Sequence, residues 1–332
     1  MRLSTFSSKV PNTGHIGLLL SMCALFCCAV EVGTSLYFGA VSQVEGRRRV
    51  EYREALALRH GDHGAKTVLL AGNSLLLRGV DISQLQRATL PDLQIRRFVI
   101  ENTFYFDWYY GLRRLFKQGS HPNFVALVLS PFQLASDSMN GDYSIHLLVD
   151  GGDLPEVAKV TGADRNRISS LMLSHYSEFY GTRSEIRSWI LGTMVGDVSD
   201  LFRPSETVLK TGEFPEGIVA ERLLQLQQLC AAQGVGLILV LPPAKRDYGV
   251  SAVAQLSARD NIKMLLPVAP GALASSDFSD NVHLNGRGAE KFTPALAAGL
   301  KEIVAQAGTE PVALERISVA RHNLKAVNGL EP

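Results

Sequence analysis

Five short, unbroken apolar runs constrain this chain more than any other feature. They are Thr67–Ala71 (TVLLA), Arg97–Glu101 (RFVIE), Phe124–Ser130 (FVALVLS), Val235–Leu241 (VGLILVL) and Ile262–Val268 (IKMLLPV). A strand that is apolar on both faces belongs to a sheet covered by helices on both sides. Helical candidates at Tyr109–Gln118, Glu221–Gln233 and Ser251–Ala258 fall between the runs, so β and α elements alternate. That alternation predicts an α/β fold: a five-stranded parallel sheet, doubly wound into a flavodoxin-like three-layer sandwich. At 46% hydrophobic and 20% charged residues, the chain can bury a sizeable core.

One interval breaks the rhythm. Pro131 to Ala220 separates the third run from the next helix, too long for an ordinary connection. Helical stretches at Arg167–Tyr180 and Ser184–Leu191, with Tyr143, Tyr176, Phe179, Tyr180 and Trp189, predict a helical insertion after strand three. It reads equally as a cover over the ligand-binding edge of the sheet and as a purely structural cap.

The N-terminal region is of another kind. Ile16 to Val41 covers 26 residues with one charge, Glu31, against roughly 20 needed to cross the hydrocarbon core of a bilayer. This length exceeds the apolar part of a cleaved signal peptide, and no clean small-x-small site ends it, so an uncleaved transmembrane anchor is expected. Glu31 lies toward the end of the span, where its carboxylate can reach the interface. The charged stretch RRRVEYREALALRH that follows reads as a helical stalk. The organisation expected is a tail (1–14), an anchor (15–41), a stalk (42–65), a catalytic-type domain (66–308) with an insertion (131–220), and a C-terminal tail (309–332). Arg2 and Lys9 precede the span, while Arg47, Arg48, Arg49 and Arg53 follow it. Counting these charges alone puts the domain on the cytoplasmic side, although long domains are translocated despite such charge.

With 33 basic against 32 acidic residues, no broad positive field exists for a nucleic-acid partner. Three of the four cysteines, Cys23, Cys27 and Cys28, lie in the apolar span, and Cys230 reads as a small buried hydrophobe. No Cys/His cluster suggests a metal, and the sequence calls for no cofactor. A dinucleotide-binding protein would share the sheet, but no GxGxxG follows the first strand.

The chemistry sits at two distant places. The first strand runs into Gly72-Asn73-Ser74-Leu75, which puts a serine at the carboxyl edge of the sheet, where such folds bind ligands. Gly72 suits a tight turn. The backbone N–H of Ser74, opening a helix, faces the same edge and is suited to an oxyanion. On its own the tetrapeptide reads better as a helix cap formed by Asn73 and Ser74. Beyond the fifth strand comes Asp280-Asn281-Val282-His283, whose spacing lets a carboxylate reach one imidazole nitrogen while the other faces Ser74. Arg113, Arg114 and Lys117 read as a solvated helix face, His121 before Pro122 as structural, and Lys245 and Arg246 as exposed or as binders of an anionic polymer.

GNSL and DxxH, in that order across a five-stranded α/β domain, resemble the first and last blocks of the SGNH (GDSL-type) hydrolase superfamily. The resemblance spans roughly Lys66 to Ala305 and implies a Ser74–His283–Asp280 triad for acyl-ester chemistry. The middle blocks depart from it. Strand two ends in Glu101-Asn102-Thr103-Phe104 without the family's glycine, and strand three ends in Ser130-Pro131-Phe132-Gln133 without its asparagine. Gly72, Asn73 and Asn102 are the remaining candidates for oxyanion or substrate contacts.

The Ser-Pro-aromatic ending, the anchor and His283-Leu284-Asn285 are similar to SGNH-like proteins of cell-envelope acylation, such as alginate O-acetylation and lipoteichoic-acid D-alanylation proteins. That similarity implies an extracytoplasmic domain, an acylated glycan or envelope polymer as substrate, and a membrane acyltransferase as partner. The expected activity is that of a serine esterase or O-acyltransferase. The alternative is an SGNH-fold assembly or binding factor that has lost efficient chemistry, a reading favoured by the incomplete oxyanion blocks.

Overall fold

A computed structural model describes residues 13–61, 64–195 and 214–307. The terminal tails outside these bounds, Arg2, Lys9 and the latter part of the insertion lie outside the described residues. In chain order, α1 (Thr13–Gly33), a π-helical turn (Thr34–Phe38), α2 (Gly39–Val41) and α3 (Gln43–Ala57) precede the sheet. Next come β1 (Lys66–Gly72), α4 (Ser74–Gly79), α5 (Ile82–Thr89), β2 (Leu93–Val99), α6 (Tyr105–Lys117) and β3 (Phe124–Val128). The insertion supplies α7 (Pro131–Ala135), α8 (Gly141–Leu148), α9 (Leu154–Val160), α10 (Arg165–Tyr176), α11 (Glu178–Gly181) and α12 (Arg183–Val195). The chain closes with α13 (Glu216–Ala231), β4 (Gly236–Val240), α14 (Val250–Arg259), β5 (Lys263–Leu265) and α15 (Gly286–Ala307).

All neighbouring strands pair in parallel, in the order β2-β1-β3-β4-β5, which is the flavodoxin-like order. Side chains alternate between the two faces, and both faces are dry. Leu69, Ala71, Val125, Leu127, Leu237 and Leu239 pack with residues of α3, α6, α13 and α14. Val68, Leu70, Ala126, Val128, Ile238 and Val240 pack with α4, α5 and α15. This two-sided burial is why the central strands read as unbroken apolar runs. Cys230 lies in the first of these layers, where burial pushes its thiol up to about 12 and leaves it an inert core residue.

The two edge strands depart from the expected bounds. β2 starts at Leu93, and its first half alternates because Gln94 and Arg96 face water while Leu93 and Ile95 are buried. β5 stops at Leu265: it has one neighbour, and Pro267 follows without an N–H to pair. β3 ends at Val128 because Ser130 turns the chain into α7 through a capping box with Gln133.

The supposed stalk is part of the domain. α3 turns Glu45, Arg48, Glu51 and Ala55 inward, and that face lies along the open edge of β2. The Glu51 carboxylate accepts the Val99 N–H at 2.9 Å and an ion pair from Arg97 at 2.7 Å. Arg47 donates to the Val99 carbonyl at 3.2 Å. Charged side chains thus satisfy the backbone groups of an edge strand that would otherwise recruit another chain. The same run reads as a stalk in sequence because its partners lie about fifty residues away.

His15–Val41 is long and apolar enough to cross a membrane, and the apolar side chains of α1 are exposed along its length. At Ser42 the backbone becomes extended and caps α3 through the Glu45 N–H, which turns the chain from one helix to the next. Among the described residues the insertion helices pack on α6, on α13, on the end of α1 with its π-helical turn, and on one another, and Asn140 reaches the end of β2 through the Glu101 carbonyl. Arg114 donates to the His146 and Val149 carbonyls at 2.7 and 2.9 Å, and Arg113 and Lys117 pair with Asp153 and Asp150. That face of α6 therefore holds the insertion and is not merely solvated. His121 donates its backbone N–H to Leu58 in a connecting turn.

Replacing Glu51 by alanine strips the Val99 N–H of its acceptor and leaves Arg97 without its partner. Thermal or urea unfolding is expected to show Glu51→Ala less stable by about 3 kcal/mol, the scale for breaking a buried pair. Glu54→Ala, on the exposed side of the same helix, is expected to stay within about 0.5 kcal/mol of the parent.

Candidate active site

Ser74 opens α4 immediately after β1, at the carboxyl edge of the sheet. Asn73 is the helix cap, its Oδ1 accepting the Leu75 N–H at 3.0 Å. Its Nδ2 donates to the Thr103 carbonyl at 3.0 Å, and the residue is fully buried. Asn73 thereby ties the β1–α4 turn to the β2–α6 turn, and both ends of its amide are engaged in doing so. Gly72 sits in the strand and has no positive φ. A Cβ there would lie 2.8 Å from the Val128 carbonyl oxygen, so the glycine permits close approach of β1 to β3 and does not serve a tight turn.

The opposite wall is a short loop before α15. Phe278 bridges to Leu284, and Ser279 donates its N–H to the His283 carbonyl at 2.9 Å, which closes a narrow turn. Asp280 organises the tip. Its Oδ1 accepts the N–H groups of Val282 and His283 at 2.8 and 2.7 Å, while Oδ2 lies 2.8 Å from His283 Nδ1. The three-residue spacing therefore does two things, fixing the turn and orienting the ring. Burial pushes the Asp280 carboxyl up, but those backbone N–H groups and the imidazole outweigh it and hold it below the usual range. The loop is anchored from beneath by buried Asp277, which accepts the Ala274 N–H and pairs with Lys291 at 2.6 Å. Gly288 completes the fit, since a Cβ there would lie 2.3 Å from the Asp277 carbonyl.

The two walls meet. His283 Nε2 lies 2.8 Å from Ser74 Oγ, across 209 positions of sequence. With its proton on Nδ1, the ring donates to Asp280 and presents an acceptor to the serine hydroxyl. The site is open to solvent, with the His283 and Asp280 side chains 20% and 43% exposed.

Asn102 follows β2 with a left-handed φ of 58° and donates to Asn140 Oδ1 at 3.4 Å. Asn140 in turn donates to the Glu101 carbonyl and, through its backbone, to Asp107. Two residues that sequence reading left outside the triad border it: Arg78 lies 4.0 Å from Asp280, and Lys245 reaches Asn281 at 3.5 Å. Position 78, one turn after Ser74 on α4, was the only signal for the first. Among the described residues no His/Cys/Asp/Glu group is arranged to hold a metal.

No protein-family model matches the sequence, and no curated protein does. Among solved structures, the chain is similar to a GDSL-like lipase from Bacteroides thetaiotaomicron at 13% identity, over 78% of this chain and 98% of that one, with a TM-score of 0.37. An acetylxylan esterase from Geobacillus stearothermophilus aligns at 13% identity over 73% and 95% of the two chains, with a TM-score of 0.36. An acylhydrolase described as putative, from Bacteroides fragilis, aligns at 14% identity over 78% and 96%, also at 0.36. Likeness at this level leaves the reaction to be argued from the site itself.

Asp107 gives the region a pH dependence. Burial pushes its carboxyl up to about 6, against the opposing pull of the Phe104 and Asn140 N–H groups. The native state then keeps a proton that the unfolded chain, titrating near 3.9, has released, so stability falls as pH rises from about 4 to 6. Across that window the parent is expected to lose about 3 kcal/mol relative to Asp107→Asn, which has no proton to lose, as read from urea unfolding at each pH.

Proposed function

We propose that this chain is a membrane-anchored serine esterase or O-acyltransferase of SGNH type. It acts on acyl esters, acetyl above all, of an envelope glycan or polymer. The observation that carries this reading is the continuous line from Asp280 through the His283 ring to Ser74 Oγ, with 2.8 Å at each step.

Ser74 Oγ attacks the ester carbonyl carbon as its proton passes to His283 Nε2. The tetrahedral intermediate collapses, the C–O bond to the alcohol breaks, and His283 returns the proton to the departing oxygen. A hydroxyl then gives its proton to Nε2, attacks the acyl-serine and releases Ser74. Water in this second step makes the protein an esterase, and a sugar hydroxyl makes it a transferase. Asp280 holds the ring in the Nδ1–H form and stabilises the imidazolium. The Ser74 N–H at the start of α4 is the main-chain oxyanion donor, with Asn102 at the neighbouring strand end as the side-chain candidate.

The apolar helix His15–Val41 supports the anchor. The Ser130-Pro131-Phe132 ending of strand three, the apolar N-terminal helix and His283-Leu284-Asn285 support an extracytoplasmic envelope role alongside a membrane acyltransferase. Lys245, beside the histidine loop, suits an anionic polymer.

One observation favours the second reading, a binding or assembly factor of the same fold. Asn73, whose amide was a candidate for the oxyanion hole, spends both ends on the turn. Turnover separates the two readings. The full chain in detergent is expected to cleave 4-methylumbelliferyl acetate, and Ser74→Ala to lower kcat/KM by about a thousandfold or more at unchanged Tm. Equal rates in parent and variant remove the mechanism and leave the binding factor. Adding a sugar acceptor and resolving acetate from acetyl-sugar then assigns hydrolysis or transfer.

A further inference from the structure

Around the exit of α1 the insertion presents an apolar surface to solvent. On α10, Ile168, Met172 and Tyr176 recur every four residues as one exposed stripe with Leu173 beside it, while Leu171 and Ser174 on the other side are buried. On the helices that follow, α11 against α10 and α12 against α11, Phe179, Trp189, Ile190 and Met194 are exposed as well, with Tyr176 71% and Met194 79% exposed. Leaving apolar side chains in water costs about 25 cal/mol per Å², and contiguous patches of this sort mark a surface that is normally covered.

Three contacts fix that surface beside the end of the apolar helix. The Glu31 carboxylate accepts the Ser177 hydroxyl at 2.7 Å and the N–H groups of Glu178 and Phe179, the first turn of α11. Phe38, in the π-helical turn, meets Trp189 edge-on with centroids 6.4 Å apart. Arg49 joins the Ser35 carbonyl to the Glu178 carboxylate. The network therefore meets the apolar span toward its C-terminal end, from Glu31 to Phe38. Tyr37, Tyr176 and Trp189 lie around that level, the residue types that collect where lipid meets water.

We propose that α10, α11 and α12 seat on the lipid interface around α1, so that the domain rests on the bilayer by a surface and does not sway on a tether. The occupant is lipid because the patch is continuous with a helix whose own apolar side chains require lipid. Glu31 fits the same picture: its carboxylate is held by the insertion at the boundary and is not left in hydrocarbon. α3 starts next to this network and is pinned by Arg47 and Arg48 to Glu101 at the end of β2. The seat thereby fixes the position of the strand ends that carry Ser74.

This inference rests on the anchored reading, and the test separates the two. The chain has two tryptophans: Trp108 is fully buried in the core and Trp189 lies in the patch. The full chain is reconstituted in phosphatidylcholine–phosphatidylglycerol nanodiscs whose acyl chains carry bromine near the headgroup. Bromine is expected to quench the part of the emission that Trp189→Phe deletes and to spare the remainder. Placing the probe on α10, as Tyr176→Trp in the Trp189→Phe background, is expected to restore quenching. Emission equal in brominated and plain lipid, or quenching at position 176 by aqueous iodide instead of bromine, overturns the seat, as does a chemical cross-link between two copies through Met172→Cys. Alkaline washing of vesicles reads the anchor separately: a chain washed off overturns the anchored reading, while a chain retained yet unquenched overturns the seat alone.

Discussion

The arrangement at the strand ends depends on one constraint: the loop before α15 must hold the His283 ring within hydrogen-bonding reach of a serine fixed to the first strand. Neither partner is free to adjust. Ser74 is set by Asn73, which bolts the β1–α4 turn to the β2–α6 turn, and by Gly72, which lets β1 approach β3. His283 is set by Asp280 at the tip of its loop and by Asp277 and Gly288 at the base. The parallel order brings both to the same edge, since every strand ends there.

Away from that edge, the molecule spends charge on construction. Glu51 and Arg47 complete the hydrogen bonding of an edge strand. Arg113, Arg114 and Lys117 clamp the insertion to α6. Glu31 joins the apolar helix to α11. The same device recurs: a charged side chain on one helix satisfies main-chain groups or an opposite charge on a segment distant in sequence. The helical insertion is held to the domain by these polar contacts together with an apolar cluster in which Tyr110 of α6 packs with Ile145, Val149, Leu154, Val157 and Leu171, while other apolar side chains stay on its outer surface.

Sequence periodicity made the central sheet legible because double burial writes itself as unbroken apolar runs, as in Val125–Leu129. The edge strand β2 was misplaced by four residues for the converse reason: Gln94 and Arg96 face water and interrupt the run. Asp280 and His283 could be paired in advance because their interaction is local, whereas the reach from His283 to Ser74 needed the topology as well. The charged face of α3 and the grip of Arg114 were illegible. A helix whose charges find distant partners has the same local pattern as one whose charges meet water. Asn73 was legible in part, since the helix cap that the sequence offers is local while its second partner, Thr103, lies thirty residues on.

A fluorophosphonate probe applied to the intact chain reads directly whether Ser74 is an activated nucleophile. One phosphonyl adduct per chain is expected, mapped to the peptide containing Ser74 and lost in His283→Ala. A folded chain that takes no adduct, or takes it equally without His283, contradicts the triad.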